Sequence, residues 1–77
     1  MKGKQLRPLS MVGAGQTVKL VSINAGQALN SRLTAMGLVP NVEITVVSSG
    51  HPGPFVISVK DSKMMLGRGM AHKIMVL

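Results

Sequence analysis

The apolar residues of this chain come in short β-branched runs, each closed by glycine, proline or asparagine, and that punctuation limits the fold more than any other feature. Val18–Ile23 lies between Gly15 and Gly26 and reads as a strand. In Val42–Val46 the apolar residues alternate, placing Val42, Ile44 and Val46 on one face. Phe55–Lys60 repeats the pattern, with Phe55, Ile57 and Val59 turned inward. Lys63–Leu66 reads as a further short strand, and Lys73–Leu77 as a last one. Five such strands within 77 residues predict a mainly β domain, a small closed or nearly closed barrel that protects its edges. Residues 1–77 leave no room for a second hydrophobic core, so the chain reads as one domain.

One segment departs from this rhythm. Leu29, Leu33 and Met36 recur at i, i+4 and i+7 and mark one stripe of a short helix over about 27–36. Its end is well defined. With Gly37 as the left-handed residue after the helix, Leu33 and Leu38 become the hydrophobic contact pair of a Schellman motif. Pro40 stops any continuation, and Pro40-Asn41 suits the centre of a type II turn, with Asn41 tolerating positive φ. Gly50-His51-Pro52-Gly53-Pro54 reads as a stiff loop between strands, and Asp61-Ser62 as a tight hairpin turn. Gly67–His72 reads as an irregular or helical turn, and Arg7–Ser10 as an extended lead-in.

Composition narrows the function. There is no cysteine, which excludes thiolate metal sites and disulfide scaffolds. The acid and imidazole side chains are Glu43, Asp61, His51 and His72, scattered along the chain, so no catalytic constellation is visible and an enzyme is not expected. No apolar span of about 18 residues or more could cross a bilayer, and the basic start lacks the apolar stretch of a signal peptide; a cytoplasmic protein is expected. Nine Lys and Arg against two acids give a net charge of +7. Such an excess steers a domain toward an acidic protein face, an anionic membrane surface or nucleic acid.

Three stretches, in order, resemble one family. Arg32-Leu33-Thr34-Ala35-Met36-Gly37-Leu38-Val39-Pro40 is similar to the core motif of the ferrous iron transport protein A (FeoA) family. Gly53–Val59 resembles the family's Gly-Pro strand, and Met65–Val76 its closing motif. The opening, Leu6–Ile23, fits as well. Asn41 stands where the family usually has glycine, a change that a positive-φ turn tolerates. The resemblance implies an SH3-like small β-barrel with one inserted helix. It also implies a cytoplasmic accessory of bacterial ferrous iron uptake, acting on the FeoB-type membrane permease with its GTP-binding domain. The same domain occurs fused to metal-dependent transcription regulators, and transition-metal binding is associated with the family on that account.

The residues themselves give iron little support. Fe(II) favours imidazole and carboxylate, and only His51 and His72 are at hand, on different loops. They are weak metal candidates, and no cofactor is expected. Methionines 36, 64, 65, 70 and 75 are expected mostly as core filler in a chain with a single aromatic residue. Leu29, Arg32, Leu33, Met36 and Leu38 would form a groove between helix and barrel for a protein partner, and Arg68, between two glycines, is a further candidate contact. A basic barrel binding nucleic acid is the competing reading. It is disfavoured because single-strand binders stack bases on aromatic side chains, and this chain has only Phe55. Short exposed edges also permit a homo-oligomer.

Overall fold

The computed structural model describes residues 5–50 and 53–77, so the expectations resting on His51 and Pro52 lie outside the described residues. Its elements are β1 (Arg7–Pro8), a 3-10 turn (Leu9–Met11), β2 (Thr17–Ile23), α1 (Gln27–Ala35), β3 (Glu43–Ser49), β4 (Phe55–Val59), β5 (Ser62–Leu66), α2 (Arg68–Lys73) and β6 (Ile74–Val76). The strands form one sheet in the order β1-β6-β2-β3-β4-β5, every pairing antiparallel. The described residues thus contain six strands rather than five, because Arg7–Pro8 pairs with Met75 and Val76. The order runs from β1 to β5 with no pairing between them among the described residues. The architecture is SH3-like without full closure.

Two extra residues set the phase of the alternating pattern. On β2, Leu20 pairs with Val76 and Ser22 with Met75, so Val21 is a bulge and inward positions shift from Val18 and Leu20 to Ile23. On β3, Val46 pairs with Ile57 and Ser48 with Val56, leaving Val47 as the extra residue. Beyond that bulge, Ser49 shares its phase with Phe55. A bulge adds local twist, and twist curls a narrow sheet toward a barrel.

The core is almost wholly aliphatic. Leu9, Val12, Leu20, Leu38, Ile44, Val46, Ile57, Ile74 and Val76 are fully or almost fully buried, with Phe55 as the one aromatic. The inward positions expected on β3 and β4 are confirmed for Ile44, Val46, Phe55, Ile57 and Val59, while Val42 is half-buried. The methionines differ from expectation. Met36 and Met65 are exposed, at 45% and 70%, whereas Met64 and Met70 only pack against the core's margin. Branched aliphatic side chains suit the two-residue period of a strand, and they fill the interior without the flexible thioethers.

α1 ends as its sequence predicts. Gly37 has φ +101° and its N–H donates to the Thr34 carbonyl at 3.0 Å. The Leu38 N–H donates to the Leu33 carbonyl at 3.0 Å, completing the Schellman pair, and both leucines are buried. Asn41 follows with φ +73°, and the Val42 N–H closes the turn on the Val39 carbonyl at 3.1 Å. The second hairpin lies one residue earlier than expected. Val59 pairs with Ser62, so the turn is Lys60-Asp61, with Lys60 at φ +56°. The pairing register, which one strand alone does not reveal, decides that shift.

Two expectations follow. Leu38→Ala should cost about 2–5 kcal/mol, enough to remove the cooperative thermal transition of so small a domain, whereas Met36→Ala should change stability by less than about 0.5 kcal/mol. Lys60→Asn places a residue tolerant of positive φ in the hairpin and should raise Tm by about 2–4 °C in a calorimetric scan.

Candidate functional site

Each residue singled out in the sequence has a definite place. Leu33 and Leu38 are 2% and 0% exposed, so they anchor α1 to the core and offer no surface to a partner. Leu29 is half-buried against the same core. Arg32 and Met36 are exposed, one near the last turn of α1 and the other at its cap. The Asn30 side chain donates from Nδ2 to the Ile23 carbonyl at 3.2 Å, tying the helix to the end of β2. The depression along α1, about 590 Å³, is bordered by Ala25, Gln27, Asn30, Ser31, Thr34 and Ala35. Its walls are small and polar side chains rather than the leucine stripe, because the barrel has already taken the stripe.

Arg68 sits apart from that surface, at the start of α2. Its Nη2 donates to the Gly50 carbonyl at 2.7 Å, a charge-assisted bond that holds the end of β3 against the helix. Gly50 has φ +85° and is buried, and a Cβ there would lie 3.4 Å from the Arg68 guanidinium. His72, one helical turn beyond Arg68, is exposed and has Nδ1 3.3 Å from the Ser10 hydroxyl, linking α2 to the 3-10 turn. No residue is shared between the depression on α1 and the one bordered by Arg68 and His72. The structure therefore separates the expected contacts into two surfaces. Among the described residues no group of three or more His, Asp or Glu side chains could hold a metal ion.

The FeoA domain model matches residues 7–77. A protein of Methanocaldococcus jannaschii named "Putative Fe(2+) transport protein A" is 38% identical over 69 residues, covering 90% of this chain and 83% of that one. The chain belongs to the FeoA family. The crystal structure of an iron uptake regulatory protein (FeoA) superposes with a TM-score of 0.84 at 35% identity, covering 96% of this chain and 97% of that one. A manganese-dependent transcriptional repressor shares the fold alone: its TM-score is 0.82 at 18% identity, and this chain spans 42% of its length. In this FeoA chain no helix of the described residues is long and apolar enough to cross a membrane.

The Arg68–Gly50 bond was not legible in the sequence, since it joins residues 18 positions apart through the β3–β4 pairing. Arg68→Ala should destabilise the domain by about 1–2 kcal/mol, and Arg68→Lys should recover only part of it because an ammonium lacks the planar fork. Chemical denaturation of the three proteins measures this directly.

Proposed function

We propose that this FeoA domain is a cytoplasmic accessory of ferrous iron uptake that acts by protein–protein contact with the FeoB-type permease rather than by catalysis. The observation that carries the reading is the family match through residues 7–77, together with a near full-length relative whose name includes Fe(2+) transport. The exposed part of α1 supports a contact role. Arg32 and Met36 stand outside a core that is complete without them, on a side of the helix distinct from the residues that border its depression. Met36 adapts its shape to an apolar partner, and Arg32 pairs with an acidic one.

As an accessory, the domain alters GTP turnover or assembly of the permease by binding one of its states more tightly than another. The net charge of +7 speeds the encounter with an acidic surface and does not by itself select one. Fe(II) is the cargo of the transport system in this reading, not a resident cofactor of the domain.

Capture of the purified permease, and of its isolated GTP-binding domain, by this protein tests the proposal. Specific capture at roughly 0.15 M salt, weakened about tenfold or more by Arg32→Glu combined with Met36→Asp, is the expected result. Both positions are exposed, so the double variant should keep its fold. Capture confined to low salt and matched by nucleic acid would show charge attraction alone and overturn the reading.

A further inference from the structure

The acids of this domain are unevenly distributed over the sheet, whereas its cations occur at both ends. Glu43 and Asp61, the only acids, belong to the end where Ile44, Val59 and Ser62 pair. The opposite end, where Ser49, Phe55 and Leu66 pair, lies five residue steps along β3, about 15 Å away at the usual strand rise. That separation exceeds the screening length of about 8 Å at physiological salt, so the acids barely offset positive charge there.

This acid-free end carries a depression of about 510 Å³, bordered by Ser10, Ser49, Phe55, Arg68, His72 and Lys73. Two cationic residues, a histidine and two serines therefore border one cavity. Each reaches it for a structural reason. The bulge at Val47 brings Ser49 into phase with Phe55. Arg68 and His72 stand four apart on α2, hence on one face. The 2.7 Å bond to the Gly50 carbonyl fixes the guanidinium at the wall, and the contact between Ser10 and His72 fixes the opposite side.

We infer that this pocket is a binding site for a small phosphorylated anion. A carboxylate presents two oxygens, whereas a phosphoryl group presents three or more and carries up to two charges, which matches donors arriving from three elements. Phe55 is buried, so it closes the bottom of the depression and leaves the polar rim to make the contacts. The proposal is independent of the iron-uptake reading and of the α1 surface, with which the pocket shares no residue.

Inorganic phosphate is the probe, titrated into the protein and followed by amide and side-chain NMR, against sodium chloride at matched ionic strength. The expected result is a saturable shift confined to the residues around the pocket. Lys73→Gln should weaken it about tenfold, as loss of one charge-assisted bond gives, while Lys19→Gln at the other end of the sheet leaves it unchanged. Lys73 is exposed, so its substitution should preserve the spectrum of a folded domain. Shifts that fail to saturate, that chloride reproduces, or that Lys19→Gln reduces as much as Lys73→Gln, would overturn the site.

Discussion

β2 has to serve two neighbours at once, and the rest of the molecule depends on how it does so. It pairs with β3 near its beginning and with β6 toward its end, and the extra residue Val21 falls within the β6 pairing. Without that bulge the strict two-residue period would turn Ile23 away from the core and bring Ser22 into it. With it, Ile23 pairs with the buried Ile74, and the strand leaves the sheet in position to launch α1. Val47 performs the same shift on β3, so both long strands bend where the sheet must curl. A domain with so few residues can enclose a core only if its strands are used twice in this way.

How much of this was legible in the sequence followed the range of the interaction that decides each feature. The end of α1 is fixed by residues within two turns of each other, Leu33, Gly37 and Leu38, and it was readable to the residue pair. Asn41 was equally local. The hairpin at Lys60-Asp61 was displaced by one residue, because its position comes from the pairing of Val59 with Ser62. The bulges at Val21 and Val47 left no mark in composition: a valine in a run of β-branched residues looks the same whether or not it has a partner. The methionines misled for a related reason. Hydrophobic character alone placed them inside, yet the strand registers filled the interior with Val, Ile and Leu and left Met65 outward on β5.

The candidate site divided along the same line. A helical stripe identifies which side chains belong together, but not which side of the stripe the domain keeps for itself. Here the core took Leu33 and Leu38, and the surface kept Arg32 and Met36. Arg68 was visible as an arginine between glycines, whereas its tie to Gly50 and its neighbours Ser10, Ser49 and Lys73 emerge only when the ends of β3, α2 and the 3-10 turn meet.

These placements explain why the helix is worth its place in the fold. α1 gives the core a single fully buried side chain from its nine residues, Leu33, and is otherwise held by Leu29, Asn30 and the capping turn. Most of its positions are therefore relieved of packing duty and open to substitution without loss of the barrel. α2 differs: it buries Ala71, packs on the 3-10 turn and fastens the end of β3 through Arg68. A change on the outer face of α1 alters what the domain touches. A change at Arg68 alters both the hold on the end of β3 and the charge displayed there, so that part of the second surface is coupled to stability while the exposed face of α1 is not.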